Sequence, residues 1–217
     1  MSSPLLVIGN KNYSSWSLRP WLAMKVLELP FEELRIPLYV AGSKEQILRY
    51  SPSGRVPCLV DGAVRVWESL AILEYLAETH SQLWPAAPTE RAAAHSISAE
   101  MHAGFANLRQ HMSMNVRKRH PGKGRTPEVL QEIARIVAMW SDCRARFGAA
   151  GPYLFGRFSA VDSMYAPVVL RFRTYDVELP AQCRAYCDAM LALPAMREWI
   201  AAAEAETEVL EKFEPYG

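Results

Sequence analysis

Three polar groupings carry residue types able to activate or hold a small ligand: Tyr13-Ser14-Ser15, Arg55-Val56-Pro57 and Glu68-Ser69. A serine hydroxyl is too weak an acid to serve as a base. It does donate a hydrogen bond to an anionic centre, and at a helix start the free backbone N–H groups add positive potential. Pro57 stands in an apolar run, Val56 to Val60, that ends in Asp61-Gly62. Proline cannot donate a ladder hydrogen bond, so at the head of a strand it calls for an edge position or a special X-Pro geometry. Glu68-Ser69 sets an acceptor beside a donor at the start of a helix, where anions are favoured. Taken alone, Ser69 reads as a helix cap and Glu68 as a solvated charge.

The elements that would position these groups are legible from periodicity. Residues 5–8 (LLVI) read as a buried strand, 17–28 as a helix, 31–40 as a second strand, and SKEQILRY as a short helix. The run 56–67, with Asp61-Gly62 as its turn, reads as a β-hairpin, and 69–78 as a further helix. The order β-α-β-α-β-β-α implies a sheet with helices packed on it. Beyond the proline-rich stretch Trp84 to Pro88, nothing further reads as strand. Ile97, Met101, Phe105, Leu108 and Met112 argue a long amphipathic helix from about 89 to 116, and helical patterns follow at 127–147, 159–173, 181–192 and 195–212. The expected division is 1–80, an α/β domain, and 89–217, an all-helical domain, with 81–88 as linker.

Composition excludes some functions. The 24 Lys and Arg nearly balance the 23 Asp and Glu, so no global field favours nucleic acid or an anionic membrane. The N-terminal MSSPLLVIGNKNYSS holds only four consecutive apolar residues. Neither a signal peptide nor a spanning helix is therefore expected, and a cytoplasmic location is. Cys58, Cys143, Cys183 and Cys187 contain no C-x-x-C pair and read as free thiols rather than a metal or redox site.

In order and at their spacings, YSSWSLR (13–19), SPSGRVPCLVDG (51–62), WESLAILEYL (67–76) and FSAVD (158–162) resemble the cytosolic glutathione transferases. The resemblance covers the whole chain. It implies a thioredoxin-like N-terminal domain, an all-α C-terminal domain and a homodimer, with glutathione as cosubstrate and no metal. It further implies a cis Val56-Pro57 bond whose valine pairs with the cysteinyl part of glutathione as an added strand would, with Arg55 alongside. Glu68 would then meet the γ-glutamyl ammonium and Ser69 its carboxylate.

Ser14 falls where the omega-like branch carries cysteine and the zeta-like branch serine, so it is the first candidate to donate to the glutathione sulfur. Ser15 is the alternate and Tyr13 the third. SSWSLR is similar to the zeta-type S-S-x-S-x-R pattern, but Pro20-Trp21 depart from its continuation. With no cysteine in this segment, glutathione's own thiol is left as the nucleophile. Met112, Met114, Asn115 and Tyr13 are expected to line an apolar second-substrate pocket; the basic loop RKRHPGKGR (117–125) reads by default as a solvated loop, with attraction of an anionic substrate as the alternative. FSAVD reads as a capping box, Ser159 with Asp162, and is structural. The activity expected is addition of the thiolate to an electrophile. A zeta-like cis-trans isomerase and a non-catalytic interaction module of the same fold are the alternatives.

Overall fold

The computed structural model of the chain describes residues 3–216. Strands β1 (Leu5–Ile8), β2 (Glu32–Arg35), β3 (Cys58–Asp61) and β4 (Val64–Trp67) form a mixed sheet in the order β2-β1-β3-β4. β1 runs parallel to β2, and β3 is antiparallel to both β1 and β4. Alternation sorts the strand side chains between two layers, because successive residues point to opposite faces. Leu6, Ile8 and Leu59 join the main core, where α1 (Ser15–Val26) and α3 (Ser69–Ala77) pack. Val7 and Cys58 face Ile47 of α2 (Ser43–Leu48) on the other side.

The hairpin closes with Asp61 opposite Val64, so its turn residues are Gly62 and Ala63, one later than the sequence suggested. Only Gly62 of this pair takes positive φ, +57°, at no steric cost. β2 is shorter than the 31–40 expected, because Pro37 and a turn at residues 38–39 end the pairing.

The remaining helices are α4 (Pro88–Ala103), α5 (Ala106–His111), α6 (Pro127–Phe147), α7 (Ala160–Tyr175), α8 (Ala181–Ala192) and α9 (Pro194–Ala205). The single helix expected over 89–116 is therefore two. Gly104 leaves helical geometry and Phe105 adopts a left-handed φ of +58°. A Cβ on Gly104 would sit 2.8 Å from the Glu100 carbonyl, so the break needs glycine. Likewise α9 stops at Ala205, and residues 206–216 run back over the N-terminal half. There Glu206 accepts from Lys11 N at 2.7 Å and Asn12 N at 3.0 Å.

Every residue of α7 except Arg173 is buried. A helix apolar nearly all round belongs inside the molecule, and this one packs on α1 and α4. Its start is the capping box: Asp162 accepts from Ser159 N at 2.8 Å and Leu154 N at 3.1 Å, with the Ser159 hydroxyl at 3.0 Å. Phe158, before the cap, packs edge-on against Tyr153. Asp162→Ala strands those buried donors, and it is expected to destabilise the protein by about 2–4 kcal/mol. Denaturant unfolding checks this, and a loss below about 0.5 kcal/mol would show the box to be dispensable.

Candidate functional site

The start of α1 forms one wall. Ser14 is its N-cap: the Oγ accepts from Ser17 N at 3.4 Å and donates its proton to Ser17 Oγ at 2.7 Å. Ser15 opens the helix, and its Oγ accepts from Arg171 Nη2 at 3.4 Å. The Ser15 proton has no acceptor among the described residues. Tyr13 also faces the cavity, but its hydroxyl donates to Glu214 at 2.6 Å and accepts from Arg117 at 3.0 Å. Burial and the Glu214 carboxylate push its pKa up. Tyr13 thus serves to fasten the C-terminal segment.

The second wall is the loop before β3. Val56-Pro57 is cis, as expected, and Val56 lines two adjoining cavities, of 640 and 300 Å³. Arg55 and Trp16 line both as well. The smaller cavity ends at Glu68, Ser69 and His102. Glu68 holds a positive φ of +69°, a sparsely populated region for a residue with a side chain.

Ser69, fully buried at the start of α3, accepts from Arg19 Nη1 at 3.3 Å, and its own proton has no acceptor among the described residues. The Arg19 guanidinium lies 4.3 Å from the centre of the Trp16 ring and leaves its Nε unpaired. Burial and the charges of Arg171 and Arg109 push its pKa down to about 9, so it stays charged at neutral pH. His102, at the end of α4, places Nε2 3.5 Å from Glu68 Oε2 and sets its ring edge-on to Trp16. Burial and the Arg19 charge lower its pKa.

Two expectations about the larger cavity are corrected. Met112 and Asn115 do not line it: Met112 is core, and Asn115 accepts from Asn12 Nδ2 at 3.1 Å. The helix α5 ends at His111, before both residues, and Ser113, Arg109 and Arg171 form that wall together with Met114, which lines it as the sequence suggested. Nor does any residue of the basic loop 117–125 reach the cavity. Arg117 turns inward to the carbonyls of Glu206 and Glu208.

Arg19, His102, Arg109 and Arg171 were not singled out as functional from sequence. The available signal was an arginine inside an otherwise apolar helical run, SLRPWLAM and YAPVVLRF, since arginine is seldom fully buried without partners.

The family model described as "Glutathione S-transferase, N-terminal domain" matches residues 13–79, and "Glutathione S-transferase, C-terminal domain" matches 99–202. A probable maleylacetoacetate isomerase of Caenorhabditis elegans is 36% identical over 108 residues, 48% of this chain and 49% of that protein. The alignment thus spans about half of the nematode protein's length. Maleylacetoacetate isomerase of Rattus norvegicus is 28% identical over 182 residues, 81% of each chain. Among solved structures, the theta class glutathione S-transferase of Xanthomonas axonopodis pv. citri, with glutathione bound, is 25% identical. It matches at a TM-score of 0.62, over 92% of this chain and 98% of that one.

Proposed function

The chain belongs to the glutathione transferase family, and from that premise we propose that it binds glutathione, holds it as the thiolate and adds it to an electrophilic small molecule. The observation that carries this reading is the continuous groove in which Ser15, Val56 and Glu68-Ser69 line two cavities sharing Trp16, Arg55 and Val56. The γ-glutamyl group lies in the smaller cavity, its ammonium at Glu68 and its carboxylate at the Ser69 hydroxyl and the start of α3. The cysteinyl backbone pairs with Val56, and the sulfur meets the start of α1.

Of the serines there, Ser15 is the donor to sulfur. The Ser14 proton is committed to Ser17, whereas the Ser15 hydroxyl accepts from a guanidinium and keeps its proton free. A hydrogen bond to the charged form lowers an acid's pKa, and nearby positive charge adds to it. The thiol proton passes to solvent. The sulfur lone pair then forms the new C–S bond as a π bond of the electrophile, or its bond to a leaving group, breaks and takes the displaced electron pair. A cytoplasmic homodimer is part of the same proposal.

The isomerase reading shares every binding step and differs only in that the adduct collapses to an isomerised acid. The relatives named as maleylacetoacetate isomerases support this second reading. A glutathione titration, followed by turnover with aryl halides, peroxides and maleyl-type acids, tests both readings. Absence of glutathione binding would end both.

His102 gives this site a pH dependence. Its imidazole, with a depressed pKa, is neutral at neutral pH and leaves the Glu68 charge to the γ-glutamyl ammonium. Acidification through that value puts a second cation at Glu68, so glutathione affinity is expected to fall on the acid side. In His102→Asn the fall is expected to disappear. Parallel profiles for the two proteins, read by calorimetry, would exclude His102.

A further inference from the structure

We propose that Arg109 and Arg171 form an anion subsite in the larger cavity and that it takes the carboxylate of the electrophilic substrate. This deepens the reading above and rests on it for the place of the thiolate.

Both side chains line the 640 Å³ cavity, and no aspartate or glutamate lines it with them. Arg171 is buried, yet its contacts are all neutral: Met112 O at 2.8 Å, Pro167 O at 3.2 Å and Ser15 Oγ at 3.4 Å. Arg109 donates to the Gly104 carbonyl and lies 5.7 Å from the centre of the Trp16 ring. Neither forms an ion pair with any described residue. The nearby Glu132 carboxylate is spent on Asn107 N, Asn107 Nδ2 and Leu108 N at the start of α5.

A charge removed from water is costly unless an opposite charge meets it, and here two guanidiniums, Arg171 buried and Arg109 half-buried, face one space whose other walls carry Lys44, Arg55 and Lys212. They repel: burial and Arg109 push the Arg171 pKa down to about 10. A bound thiolate offsets at most one of them. In this reading glutathione's carboxylates lie away from α5 and α7, the γ-glutamyl one at Ser69 in the smaller cavity and the glycyl one on the α2 side of the larger cavity, at Lys44. The remaining charge on the α5 and α7 wall is left for the second substrate. Guanidinium suits a carboxylate because its donors match both oxygens.

The test compares para-chloro-meta-nitrobenzoate with its methyl ester. In each, the thiolate sulfur forms a C–S bond at the chlorine-bearing carbon, the C–Cl bond breaks, and chloride leaves with the electron pair. After division by the uncatalysed rates, kcat/KM is expected to favour the carboxylate roughly tenfold or more, and Arg109→Gln or Arg171→Gln to reduce that ratio by about the same factor. Arg171 is deeply buried, so if its variant does not fold, Arg109→Gln decides.

Calorimetry with the unreactive para-methyl-meta-nitrobenzoate supplies a readout that needs no glutathione. The parent protein is expected to bind it and Arg109→Gln to lose most of that affinity. A separate glutathione titration shows whether the underlying reading stands. A parent ratio near one, a ratio unchanged in the variants, or nitrobenzoate affinity indifferent to Arg109 would overturn the subsite.

Discussion

Replacing Ser15 with alanine is expected to slow conjugation at neutral pH by roughly 10- to 100-fold. A free thiol titrates near pH 8.5, so only a few per cent is thiolate at neutrality, and a depression of about two units corresponds to about 2.7 kcal/mol. One charge-assisted hydrogen bond, the α1 N-terminus and the Arg171 charge together supply energy of that order. In Ser15→Ala the hydroxyl is gone and the rate follows the smaller thiolate fraction. Raising the pH restores much of it, because the thiolate then forms unaided. Glutathione affinity changes little, since Val56, Glu68 and Ser69 still hold the peptide. Ser14→Ala is the control: its hydroxyl bonds to Ser17 within the turn, so its loss costs a helix cap, about 1 kcal/mol of stability, more than rate. A pH–rate profile for each variant checks the assignment. Parent-like profiles in Ser15→Ala would remove it, and the loss falling on Ser14→Ala instead would transfer it.

Ser69→Ala is expected to weaken glutathione binding by about 1–3 kcal/mol, a roughly 5- to 150-fold rise in Kd. The hydroxyl stands between the buried Arg19 guanidinium, 3.3 Å away, and the space given to the γ-glutamyl carboxylate. Alanine removes the donor to the ligand and also the acceptor for a charge that already has an unpaired Nε. Calorimetric titration reads the effect, and unchanged affinity would contradict the placement of the γ-glutamyl group.

Local rules made part of this site legible before the fold was known. The hairpin after Pro57, the helix started by Ser69 and the Ser159–Asp162 capping box are set by residues within a few positions of one another, where turn chemistry and caps act directly. The long helix drawn through 89–116 failed because apolar spacing was followed across Gly104, whose backbone approaches the Glu100 carbonyl too closely for any side chain. That error carried Met112 and Asn115 into the pocket on paper and hid Arg109. His102 meets Glu68, and Arg171 meets Ser15, only when α4 packs on α3 and α7, and α7 on α1. Contacts at such separations leave no periodic trace, so the pocket expected to be apolar carries, beside Tyr13 and Met114, the arginines that its sequence pattern did not announce.

The central claim is that glutathione is held as a thiolate, and the most direct measurement is a pH titration of ultraviolet thiolate absorbance on the protein–glutathione complex, with Ser15→Ala alongside. The account predicts thiolate absorbance on binding near neutral pH, a midpoint well below that of free glutathione, and a midpoint moved back toward the free value in Ser15→Ala. A complex that ionises only where free glutathione does would contradict it.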